Sequence, residues 1–164
     1  MGAAAKRMGW PRTLGRLAEG RNINPQTLLA TDYLNHFNEI VMLIEMVADM
    51  PEAVEDVAAW QPASYAEHFR RSAFRDRELA ILAYENAPAV HRGPFDAIVE
   101  QADKVALAAG EELARAHASG DPALADIARR RADILRRLVS MASGIVNGHG
   151  ARIDQAEIDA ILAE

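Results

Sequence analysis

The sequence predicts an all-α protein: an antiparallel helical bundle with four main helical regions, the second of them fragmented, and a short C-terminal helix. Three observations predict it. Half of the residues are hydrophobic but only 5% are aromatic, alanine is abundant and β-branched runs are missing, a balance that suits closely packed helices better than sheets. Apolar residues recur at three- and four-residue spacing over long stretches, which gathers them on one helix face. Asn24-Pro25, Met50-Pro51, Gln61-Pro62 and Gly120-Asp121-Pro122 punctuate those stretches with residues that open or close helices.

Taken in order, residues 1–22 are basic and glycine-punctuated, with Lys6, Arg7, Arg12, Arg16 and Arg21 against Glu19. They lack the apolar h-region of a secretory signal. They read as a flexible extension, with a targeting peptide or membrane-surface arm as the alternative. The bundle domain spans residues 23–150 and the tail residues 151–164. The first helix is predicted from Asn24, as N-cap, to Met50. Its stripes are Leu34, Phe37, Val41, Ile44 and Ala48 beside Tyr33, Ile40, Leu43 and Val47. The fragmented second region comprises a piece over residues 52–60, a capping box from Ser64 to Glu67, and a helix over residues 75–86. The third helix, residues 94–117, turns Phe95, Ile98, Ala102, Val105, Ala109 and Leu113 inward; these mostly small residues admit a close neighbour, a second copy of the chain included. The fourth runs from Pro122 to Asn147 with Leu124, Ala128, Leu135, Leu138, Val139, Ala142 and Val146 inward. The tail helix covers residues 154–163.

Charge and composition narrow the function. The net charge is −6, and because the N-terminal segment is basic, the remainder is more acidic still. That balance is a poor match to a nucleic-acid surface. No apolar run reaches the ~18 residues of a membrane span, and a cytoplasmic location is the expectation. With no cysteine there is no disulfide, thiolate metal site or cysteine nucleophile. Gly-x-Ser-x-Gly, a phosphate-cradling glycine loop and the dinucleotide fingerprint are all missing. The expectation is a non-enzymatic interaction or regulatory protein without a cofactor.

One polar cluster interrupts the core pattern. His36 falls inside the second stripe of the first helix, with Asp32 one turn before it and Glu39 three residues after. A buried imidazole needs partners for its ring nitrogens, and a buried Arg131 needs a carboxylate. Asp32, His36, Glu39 and Arg131 are therefore expected to form one buried network or to line a ligand pocket. The alternative is a single divalent transition metal held by His36, Glu39, His68 and His149, with one coordination position open. A di-iron centre is disfavoured, since His36-x-x-Glu39 reverses the usual order and the third helix offers no inward ligand.

Two short stretches resemble known signalling proteins. Asp32-Tyr33-Leu34-Asn35-His36 is similar to the helix around the phospho-accepting histidine of sensor-kinase dimerisation domains. The accepting position falls on Thr31, which argues against phosphotransfer there. Ile153 to Leu162, IDQAEIDAIL, resembles the acidic amphipathic peptide of the flagellar motor switch protein that binds the chemotaxis response regulator; a similar peptide ends the chemotaxis phosphatase. The resemblance implies a receiver-type protein partner engaged by Ile153, Glu157, Ile158, Ile161 and Leu162. A narrow apolar stripe ringed by carboxylates suits helix-in-groove docking on a basic surface.

Overall fold

The computed structural model describes residues 12–149 and 155–163, and among them every regular element is helical. Helix α1 covers residues 12–18. A 3-10 turn, Thr31–Leu34, runs into α2, Asn35–Met46. A second, Pro51–Ala53, runs into α3, Val54–Ala59. Then come α4 (Tyr65–Arg71), α5 (Arg77–Glu85), α6 (Ala89–Ala118), α7 (Leu124–Val146) and α8 (Gln155–Leu162). Helices α6 and α7 share the most extensive interface; α2 packs on α7, α3 on α6, and α4 on α5. Tyr33, Phe37, Ile44, Phe69, Phe95, Ile98, Leu113 and Leu135 are all essentially fully buried in one core. Each such side chain contributes about 1.5–3 kcal/mol by leaving water. Ala102, Ala106, Ala109 and Gly110 form the small-residue face of α6, and α3 packs against it, a Cβ on Gly110 lying at van der Waals distance, 3.5 Å, from the Val57 carbonyl oxygen.

Three boundaries differ from the sequence expectation. Residues 12–22 are not a free extension. Leu14 and Ala18, one helical turn apart, are fully buried, and Gly15 lies so near the chain that a Cβ there would stand 2.8 Å from the Pro25 carbonyl oxygen. The arginines around that apolar pair hide it from a composition argument. Residues 1–11, 150–154 and 164 lie outside the described residues, so the remainder of the expected extension and part of the expected tail are among them.

The first helix begins later and ends earlier than expected. Asn24 does cap a turn: its Oδ1 accepts the N–H groups of Gln26 (2.9 Å) and Thr27 (3.0 Å). That turn does not propagate. Leu28 takes φ +60, the Asn24 N–H closes onto the Leu29 carbonyl at 2.9 Å, and Leu28, Leu29 and Ala30 are all buried. Three consecutive buried residues cannot share one helix stripe, so the chain crosses the core end before coiling. Thr27, wholly buried, donates its hydroxyl to the Val146 carbonyl at 2.6 Å and ties this crossing to the end of α7. At the far end, turns follow Met46, and Pro51 heads the next 3-10 turn.

Helix α6 starts five residues before Pro94, which sits within its second turn. The proline costs one backbone hydrogen bond near an exposed helix start, where the loss is smallest. Arg92 helps hold that start, donating to the Glu85 carbonyl at 3.3 Å. The expected Ser64–Glu67 capping box is present, with both bonds at 3.1 Å, and the Asp121 side chain accepts the Ala123 N–H at 2.9 Å ahead of α7.

Candidate functional clefts

The site grows out of residues 60–64, which join α3 to α4. Pro62 keeps Gln61 out of helical conformation, and Trp60 is extended (φ −64, ψ 138). An extended buried segment must find partners for its peptide groups. Tyr33 and His36, three residues apart and so on one face, supply them. The Tyr33 hydroxyl donates to the Ala63 carbonyl at 2.7 Å, and His36 Nε2 accepts the Ala63 N–H at 3.0 Å. One step on, the Tyr65 hydroxyl accepts the Ala30 N–H at 2.8 Å. The Ala63 peptide is thus pinned on both sides and forms a fixed wall.

Because Nε2 accepts this bond, a neutral His36 carries its proton on Nδ1, a tautomer assigned from the bond. Its ring stacks on Trp60, centroids 4.7 Å apart. Burial chiefly, then the nearness of His68 and Arg71, pulls its pKa down to about 4. His36 therefore stays uncharged near neutral pH.

A cleft of about 420 Å³ opens beside it, lined by His36, Glu39, Trp60, His68, Arg71 and Ser72 among others. His68 is held from behind by Asp32, Nε2 to Oδ2 at 3.0 Å. The Trp60 indole nitrogen is buried and meets no protein acceptor. On the other side of Ala63 lies a second cleft of about 310 Å³, bounded by Tyr33, Tyr65, Tyr84, Phe95, Asp96 and Asp103. Tyr65 stacks on Tyr84 at 4.2 Å. The Tyr84 hydroxyl donates to Asp96 at 2.7 Å, and Arg92 covers the Tyr84 ring at 4.4 Å. Oδ1 of Asp103 is buried without a protein donor, and burial, reinforced by Glu100, lifts its carboxyl to about pKa 6.

The structure separates the residues that the sequence grouped. Asp32, His36, Glu39 and Arg131 do not form one network. Asp32 pairs with His68, His36 with the Ala63 N–H, and Arg131 with Glu112 at 2.6 Å between α7 and α6. That last pair is about one-third exposed on both sides and contributes ~1 kcal/mol or less. Glu39 points to solvent at the cleft edge. His36, Glu39 and His68 share the cleft, whereas His149 is exposed beyond the end of α7. Among the described residues no group of three or more His, Cys, Asp or Glu stands close enough to hold a metal ion. In the tail, Ile158 is buried and Ile161 and Leu162 pack against the core, with α8 lying on α7. The helical core itself thus occupies the apolar stripe expected to meet a partner. Glu157 is exposed, and Ile153 lies outside the described residues.

Sequence reasoning missed Trp60, Tyr65, Arg71 and Asp103. Asp96, Val99 and Asp103 recur at three- and four-residue spacing beside the buried stripe of α6, a signal that was available. No protein family, curated protein or solved structure matches the chain, and among the described residues no helix is long and apolar enough to cross a membrane. What fold and geometry define is a helical protein in which one pinned peptide borders two neighbouring clefts.

Proposed function

We propose that the protein is an antiparallel helical bundle that binds a small zwitterion of the amino-acid class in the cleft beside His36, holding it rather than transforming it. The observation that carries this reading is a cleft whose lining includes exposed side chains of both signs, Arg71 and Glu39. The Trp60 N–H has no acceptor, and among the described residues neither Arg71 nor Glu39 has an ion-pair partner. A carboxylate would pair with Arg71 and an ammonium with Glu39, with the Trp60 ring as one wall. The size is ordinary for a small-molecule site. Binding is favoured over turnover because, of the two imidazoles that line the cleft, His68 spends Nε2 on Asp32, and His36 spends Nε2 on Ala63 and titrates only near pH 4, away from the range where a general base works best.

Thermal melts and calorimetric titrations of the full chain with free amino acids, their N-acetyl derivatives and their amides test the reading. A raised midpoint with a subset of free amino acids, lost with both derivatives and in Arg71→Gln and Glu39→Gln, is the expected result. Equal responses to all three compound classes, or none to any, would overturn it.

The tail supports a second reading, docking of α8 on a receiver-type partner. It requires α8 to release Ile158 from α7, at a cost of about 1.5–3 kcal/mol of apolar burial, so the cleft is the reading the geometry favours.

A further inference from the structure

We propose that the second cleft, between the Thr31–Leu34 turn and helices α4, α5 and α6, binds a small organic cation whose counter-charge is Asp103. This site is independent of the zwitterion cleft and lies across the Ala63 wall from it.

The two carboxylates of the cleft differ in what they already hold. Asp96 accepts the Tyr84 hydroxyl at 2.7 Å and pairs with Arg92 at 3.4 Å. Asp103 has neither: one oxygen is buried with no donor, and it enters no ion pair among the described residues. The nearest cation on its own helix, Lys104, is turned to Glu100 at 2.8 Å. Arg92 is committed to Asp96, to the Tyr84 ring and to the end of α5. Asp103 is left facing a cleft of about 310 Å³ with no positive charge to balance it.

The floor of that cleft is aromatic. Tyr33, Tyr65 and Phe95 pack with centroids 5.0 to 6.2 Å apart and are nearly inaccessible to water. Such a floor solvates a carboxylate poorly and strengthens its pull on any cation that displaces water from the lip. A carboxylate in a cleft walled by aromatic side chains therefore selects charge and apolar bulk together, the combination that a methylated ammonium carries. Inorganic cations of the hard type need several oxygens at once, and among the described residues no group of three or more acidic or imidazole ligands is assembled.

The experiment uses the full chain and three probes: choline, tetramethylammonium and 3,3-dimethylbutan-1-ol, the uncharged counterpart of choline. Binding is followed by calorimetry and by the aromatic proton shifts of Tyr33 and Tyr65. The expected result is saturable binding of both cations with shifts confined to those rings, and affinity at least ~10-fold lower for the neutral alcohol and for Asp103→Asn. Asp103→Asn keeps the shape and removes a poorly solvated charge, so it folds; Val99→Phe, which fills the cleft while keeping Asp103, must also abolish binding. Equal affinity for choline and the alcohol, unchanged binding in Asp103→Asn, or no saturable shift of either ring overturns the proposal. None of the three probes carries a carboxylate, so this result is separate from that at the zwitterion cleft.

Discussion

His36 and Asp103 stand on opposite sides of the Ala63 wall and bias stability in opposite directions over one pH window. In the fold His36 protonates only near pH 4 against an ordinary value of 6.5, so its contribution is complete above pH 6.5 and is lost as pH falls toward 4. Asp103 behaves inversely: it protonates at about 6 in the fold against 3.8 ordinarily, so its contribution is complete below 3.8 and is lost as pH rises through 6. Each displacement corresponds to ~3 kcal/mol at most, and partial solvent access reduces that to about 1 kcal/mol. In the natural sequence the two nearly cancel. Single variants separate them. His36→Phe keeps a ring against Trp60 but strands the buried Ala63 N–H, at a cost of about 1–3 kcal/mol near neutral pH. Its deficit relative to the natural chain shrinks by about 1 kcal/mol as pH is lowered to ~4. Asp103→Asn gains about 1 kcal/mol near neutral pH and loses that advantage over the same range. Urea unfolding of the three proteins from about pH 7.5 to about pH 4 measures both differences, and other titrating groups cancel in the subtraction. Differences that are flat with pH, or that slope the same way, refute the assignment of burial as the cause.

Other consequences follow from packing. Gly15→Ala gains ~1 kcal/mol of helix propensity but drives its Cβ to 2.8 Å from the Pro25 oxygen. Overpacking of that kind costs about 1–3 kcal/mol, so a melting midpoint lowered by a few degrees is expected; a raised one would free residues 12–18 from the core. Thr27→Val removes the hydroxyl that bonds the Val146 carbonyl and leaves a buried acceptor unpaired, for a loss of about 1–3 kcal/mol by chemical unfolding. Ile158→Ala loosens α8, seen as faster amide exchange in residues 155–163 with the remainder protected. If α8 serves a receiver-type partner, a peptide of residues 152–164 binds it more tightly than the full chain does; equal weak binding by the peptide and its Ile158→Ala form would remove that role.

The helical class was legible from spacing and punctuation, and so were local devices such as the Ser64 capping box and Asp121. These depend on residues within one turn of each other. What escaped depends on distant partners. His36 was read beside Asp32 and Glu39 because they are its helical neighbours, yet it bonds a backbone N–H that Pro62 leaves in an extended segment, and a remote peptide group has no signature in side-chain spacing. Arg131 met Glu112 because α6 and α7 face each other, a pairing that periodicity alone leaves undetermined. Leu28, Leu29 and Ala30 fit a helix by propensity, and the core overrode propensity to bury all three in succession. Asp103 has no partner of its own within a helical turn to mark it, and it shares its cleft with aromatic residues that lie far off in the sequence.

The most direct measurement of the account is an NMR titration of the full chain with free amino acids, following the Trp60 indole N–H and the Ala63 amide. A saturable shift of the indole proton is expected as the ligand fills the cleft that the Trp60 ring lines, with the Ala63 amide staying protected from exchange and the response disappearing in Arg71→Gln. An indole signal unmoved by every amino acid tried, or one that moves equally in Arg71→Gln, would contradict a zwitterion held beside His36.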